Sequence, residues 1–206
     1  MPKKITYESE HKMHQILADY EQGLSCFEEI LTVIKDRIDY MVSKHCRVLF
    51  IRFDVRYPAC EGSPIGNNSF DRFIADFAKY LRYHKLDCHY IWCKEFINFN
   101  KPHYHMVMLL DGNKTKSIYN HLAKADELWA RSLGLPQETK GLIDYCIKAS
   151  DGSPQENGLM IERNAPDFNI MYDRCYQWAS YLAKANTKGC GPKFAKEFSC
   201  SQIPTS

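Results

Sequence analysis

The chain has 206 residues, 45% of them apolar and 25% charged, and carries a net charge of +2. That length suits about one domain, and the composition excludes a disordered tail, a collagen-like chain and a coiled-coil rod. The longest apolar run, Met106 to Leu110, is far short of the ~20 residues of a membrane span, and +2 does not by itself announce a nucleic-acid binder.

Residues 8–44 read as helix with a break near Gly23. Phe27, Ile30, Leu31, Ile34, Ile38 and Met41 recur at three- and four-residue spacing and give one apolar face. The rhythm then changes to two. In RVLFIRFDVRY (47–57), Leu49, Ile51, Phe53 and Val55 share one side of a strand, and the other side turns charged at Arg52, Asp54 and Arg56. After a Gly/Pro/Asn loop at 60–69, a helix is expected near 70–85. Residues 88–97 and 102–110 read as an antiparallel hairpin turning near Asn98 to Asn100. A helix at 114–132 follows, then a second hairpin (141–148 and 157–164). A last helix at 168–187 stops at Gly189-Cys190-Gly191-Pro192. This order predicts an α+β fold: a central antiparallel sheet with helices packed mainly on one face, preceded by an N-terminal helical segment.

Two clusters of residues carry chemistry. His103 and His105 are two apart on a strand, so both imidazoles point the same way. Glu95, the only acidic residue in 88–110, faces them across the expected hairpin. Two neutral imidazoles and a carboxylate with open positions suit a divalent ion, Mg²⁺ or Mn²⁺, that takes a phosphate oxygen as a further ligand. Glu95 as a plain solvated carboxylate is the competing reading.

The motif Tyr-x-x-Lys occurs twice. Tyr145 and Lys148 lie on an expected strand and so face opposite ways, whereas Tyr181 and Lys184 lie on an expected helix, where residues three apart are neighbours. Arg174, Gln177, Tyr181, Lys184 and Lys188 form a polar stripe on that helix. A phenol is a poor nucleophile unless nearby cations or a metal-bound substrate favour phenolate character, and Lys184 has the right spacing to do so.

Glu95, then His103 and His105, then Tyr181 with Lys184, in this order, resemble the HUH superfamily of single-strand DNA endonucleases. The runs RFDVRYP and YLAKANTKG look like the inovirus group of rolling-circle replication initiators. The resemblance covers about 45–190 and implies a catalytic domain there, a helical extension at 1–44 and a tail at 191–206. It implies that Glu95, His103 and His105 bind Mg²⁺ or Mn²⁺, and that Tyr181 forms a 5′-phosphotyrosyl bond to the cut strand. It also implies single-stranded DNA, at an origin or hairpin, as substrate, and a host helicase and polymerase as partners. Arg52 and Arg56 share a strand face and, with Lys188, are the expected DNA contacts. Arg52, Asp54 and Arg56 stand where many initiators have Thr-rich strands, and one tyrosine replaces the pair of some phage initiators. A prophage regulator that binds nucleic acid without cutting it, and a metal-dependent nuclease using activated water, are the alternatives. Nine cysteines without a pairing pattern and an N-terminus lacking the apolar stretch of a signal peptide predict a cytoplasmic protein of a bacterial host, away from membranes.

Overall fold

The computed structural model describes residues 4–58, 68–96, 102–149, 151–186, 188 and 196–204. Most of the loop expected at 60–69, the turn around Asn98 to Asn100 and the Gly189–Pro192 stop lie outside them. The N-terminal segment is extended rather than helical. Strands β1 (Ile5–Thr6), β2 (Glu10–His11), β3 (His14–Gln15) and β4 (Cys26–Phe27) precede α1 (Glu28–Lys44). β2 and β3 pair across Lys12 and Met13, whose φ angles of 49° and 68° a right-handed helix cannot contain. The apolar stripe expected over 8–44 had members only from Phe27 onward. Those residues do form α1, with Ile30, Leu31, Ile34, Ile38 and Met41 buried. Glu28 and Glu29 in its first turn and Lys44 in its last complement the helix dipole.

The chain continues through β5 (Arg47–Arg56), α2 (Asn68–Tyr83), β6 (His89–Phe96), β7 (Pro102–Asp111), α3 (Tyr119–Ser132), β8 (Ile143–Asp144) and β9 (Leu159–Glu162). Then come α4 (Phe168–Ala179), a 3₁₀ turn over Ser180–Ala183, and β10 (Phe198–Cys200). A six-stranded antiparallel sheet runs in the order β10-β6-β7-β5-β8, with β9 also on β5. The fold is mixed α+β.

Three further expectations change. Helices cover both faces of the sheet, not mainly one. α2 and α3 pack on the side that carries Leu49, Ile51, Phe53, Met106 and Met108. α1 and α4 pack on the other, over Val48, Phe50, Ile91, Val107 and Leu109. The second face of β5 is apolar before it turns charged, and burying each large apolar side chain is worth ~1.5–3 kcal/mol. α1 and α4 therefore cover its apolar end and stop where Arg52, Asp54 and Arg56 begin.

The segments expected to form a second hairpin, now β8 and β9, do not pair with each other. Both lie along β5, one beyond the other. Between them the Asn157 side chain substitutes for a strand: its Oδ1 accepts from the Arg52 N–H at 3.0 Å and its Nδ2 donates to the Arg52 and Tyr145 carbonyls. Finally, the expected C-terminal tail contributes β10, antiparallel to the β6 edge.

Candidate active site

Cross-strand register builds the site. Glu95 on β6 lies opposite His103 on β7, and His105 lies opposite Asp54 on β5. Strand alternation turns all four side chains to the α1/α4 face, beyond the end of α4. Glu95 Oε2 is 3.1 Å from His105 Nε2 and 3.9 Å from His103 Nε2, and the two Nε2 atoms are 2.8 Å apart. One donor atom from each of Glu95, His103 and His105 lies within 4.8 Å of the others, which is a donor set suited to one cation.

The histidines are buried rather than solvent-facing: His105 is 2% exposed and His103 9%. Burial therefore acts on every group here. It opposes a charge on His103, and the neighbouring His105 adds to this, bringing the His103 pKa down to about 4. Burial also opposes a charge on His105, but hydrogen bonds to Asp54 and Glu95 outweigh it and hold the pKa above the ordinary value. For Glu95, burial is overcome by the His105 hydrogen bond and the Lys188 charge, and the carboxyl stays well below its usual range.

Two residues take roles that the sequence reading did not assign. Asp54 accepts a 2.6 Å hydrogen bond from His105 Nδ1, which fixes the ring and leaves Nε2 for the cluster. Lys188, expected at the DNA, is instead buried, and its Nζ donates to Glu95 Oε1 at 2.9 Å and to the Lys184 carbonyl. It left the polar stripe because the helix ends early: α4 stops at Ala179, and Lys184 is extended with ψ of 126°. Removing one partner of a buried ion pair leaves the other charge stranded. Lys188→Met is thus expected to destabilise the protein by about 3 kcal/mol, read as a lowered chemical-denaturation midpoint. A destabilisation below 1 kcal/mol would show that Glu95 does not depend on this cation.

Tyr181 stands beside the cluster. Its ring meets the His105 ring edge-on at 5.0 Å, Arg52 lies over it at 4.2 Å, and Lys184 Nζ sits 5.5 Å from its centre. Burial and then the Glu95 charge raise the phenol's pKa, with Arg52 opposing them. The cations near Tyr181 therefore do not make a phenolate on their own.

The N-terminal segment holds this turn in place. Ser180 Oγ accepts from the Leu17 N–H and donates to the Gln177 carbonyl, while Ala185 N–H donates to the Ser25 carbonyl. Tyr172 and Tyr176 point away into the α1 core, where the Tyr172 hydroxyl donates to Asp39 and the Tyr176 hydroxyl meets His11. Arg56 is exposed and paired with Asp144. Arg52, Arg56, Asp54, Trp178 and Tyr181 help line a cleft of about 660 Å³ next to the cluster.

Against known proteins, the family model described as "YagK/YfjJ C-terminal domain" matches residues 7–201. The chain belongs to the YagK/YfjJ C-terminal domain family. The match takes in β2, β3 and β4, the sheet, Tyr181 and β10, so the segment from residue 7 to α1 lies within the matched domain. A relative, "Uncharacterized protein YagK" of Escherichia coli (strain K12), is 22% identical over 229 residues, covering 96% of this chain and 98% of that protein. No solved structure matches. Among the described residues, no helix is long and apolar enough to cross a membrane.

Proposed function

We propose that this YagK/YfjJ-family chain is a metal-dependent single-strand DNA endonuclease and strand transferase of the HUH type, acting in rolling-circle replication of a phage or plasmid-like element. The observation that carries this reading is the meeting of Glu95, His103 and His105 around one point, with the Tyr181 ring in contact with His105. Mg²⁺ or Mn²⁺ held there would polarise the scissile phosphate. His105 is kept in the correct orientation by Asp54, and Glu95 keeps Oε2 for the cluster while Lys188 engages Oε1. The Tyr181 oxygen attacks phosphorus and the P–O3′ bond breaks. The phenol loses its proton, and the departing 3′ oxygen ends as a hydroxyl that can prime synthesis. Because the phosphotyrosyl bond conserves the energy of the cut linkage, rejoining needs no ATP. On this reading the protein works in the cytoplasm of a bacterial host, alongside a host helicase and polymerase.

The test is incubation with labelled single-stranded oligonucleotides and Mn²⁺, then a denaturing gel. A protein band shifted by covalent DNA, lost in excess EDTA, is the expected result. Nicking without an adduct is the outcome of the activated-water alternative, which the raised phenol pKa favours. Binding with neither nick nor adduct is that of the regulator.

Asp54 gives a graded check. Asp54→Asn keeps the shape but weakens the hydrogen bond that orients His105, and the Mn²⁺ affinity is expected to fall about 10–100-fold. Calorimetric titration measures this directly, and an unchanged affinity would remove Asp54 from the site.

A further inference from the structure

The cleft beside Tyr181 contains four cations, of which two are already neutralised. Arg56 pairs with Asp144, and Arg174 pairs with Glu156 at 2.8 Å. Arg52 and Lys148 have no ion pair among the described residues. Arg52 is the unusual one. It is only 8% exposed, and its guanidinium lies over the Tyr181 ring at 4.2 Å and the Trp178 ring at 5.7 Å. Its Nε is buried without a hydrogen-bond partner among the described residues. The terminal nitrogens also have none among the described residues and are not enclosed, so they open on the cleft.

A buried polar group without a partner is costly, and a guanidinium held against two aromatic rings loses little further freedom on meeting a ligand. A planar fork of donors with an exposed lysine nearby fits a phosphate better than a neutral group. Tyr181 forms a wall of this cleft and also touches His105, so the cleft and the Glu95–His103–His105 cluster are neighbours across one ring.

We propose that Arg52, assisted by Lys148, holds a backbone phosphate of the bound single strand in this cleft, next to the phosphate at the Glu95–His103–His105 cluster. The inference rests on the nicking reading only for what occupies the cluster. It assigns the DNA contact on β5 to Arg52, and leaves Arg56 and Arg174 as paired charges on the rim.

The experiment measures binding of a fluorescein-labelled oligothymidylate by anisotropy across a salt series, with EDTA present so that no cleavage intrudes. Arg52→Gln is expected to weaken binding about tenfold and to flatten the log–log salt slope by about 0.7, the value for one phosphate contact on a single strand. Lys148→Gln, at an exposed position that cannot unfold the chain, should flatten the slope in the same direction. Arg174→Gln should leave it as it was. Oligonucleotides with one neutral methylphosphonate at successive positions should lose affinity at one linkage for the native chain and at none for Arg52→Gln. An unchanged slope for both Arg52→Gln and Lys148→Gln overturns the proposal, as does an equal loss in Arg174→Gln, which would mark a diffuse field. If Arg52→Gln melts early by circular dichroism, Lys148→Gln and the methylphosphonate scan of the native chain decide. Because EDTA prevents cleavage, this assay reads the phosphate site alone. A strand that binds through Arg52 here but is neither nicked nor linked to the protein once Mn²⁺ replaces EDTA refutes the endonuclease reading and leaves the phosphate site standing.

Discussion

Tyr181→Phe is expected to abolish the covalent protein–DNA adduct and the nick together, by about 10³-fold or more, with Mn²⁺ and oligonucleotide binding unchanged. Among the described residues, the contacts around this side chain are to its ring, not its hydroxyl: Arg52 at 4.2 Å, His105 at 5.0 Å and Lys184 at 5.5 Å. Phenylalanine keeps all three and removes only the attacking oxygen. The tyrosines of α4, the helix just before Tyr181, provide the contrast. Tyr172 and Tyr176 are buried with their hydroxyls engaged by Asp39 and His11, so Tyr172→Phe should cost about 1 kcal/mol of stability and spare the adduct. Since burial and Glu95 raise the Tyr181 pKa, the reaction rate should climb with pH on the alkaline side of neutral. Lys184→Ala should slow the step without altering its products. Mass spectrometry of the trapped adduct identifies the residue. A nucleotide-bearing peptide from any other tyrosine, or none while nicking continues, refutes the assignment.

The parts of the site visible in the sequence were those set by short-range geometry. A hairpin turning near Asn98 to Asn100 puts Glu95 across from His103, which is the register found, because period-two alternation and turn position together leave no freedom. Asp54 belongs to β5, which meets β7 only through the sheet. Nothing in the local pattern pairs it with His105 some fifty residues away. Lys188 departs from the expected stripe because helical spacing holds only as far as the helix does, and α4 ends at Ala179. Arg174, Gln177 and Tyr181 do line one cleft, but the extended backbone at Lys184 breaks the stripe and turns Lys188 beneath Glu95. The N-terminal strands were hidden by the strong periodicity of α1, although Ile16 and Ala18 are buried with Leu17 exposed between them, a period of two. The two-sided helix packing follows from Val48 and Phe50. These make the second face of β5 apolar at one end, where α1 and α4 settle, and the charged remainder becomes the site.

His103→Ala and His105→Gln are each expected to abolish Mn²⁺ binding and nicking, and the pH dependence of the native chain gives the sharper test. Both imidazoles must be neutral to ligate, so protons compete with the cation. His103 titrates at about 4 and is neutral across the physiological range. His105, held by Asp54 and Glu95 against the effect of burial, keeps its proton to a pH above the ordinary ~6.5. Mn²⁺ affinity should therefore fall about tenfold per pH unit once the pH drops below the His105 pKa, with the onset on the neutral side of 6.5 rather than below it. Steepening from His103 follows only near 4. Stability in EDTA runs the opposite way. A group whose pKa is raised by folding stabilises fully below its unfolded value, and that contribution disappears as pH rises through the folded value. In EDTA the native chain should lose part of its melting-temperature advantage over His105→Gln on passing from mildly acidic to alkaline pH. With Mn²⁺ the same rise in pH should widen that advantage. Calorimetry in buffers of different ionisation enthalpy should register a proton released on Mn²⁺ binding near neutral pH. An affinity that is flat between pH ~5 and ~8, or a proton released equally by His105→Gln, would show that the cation binds elsewhere.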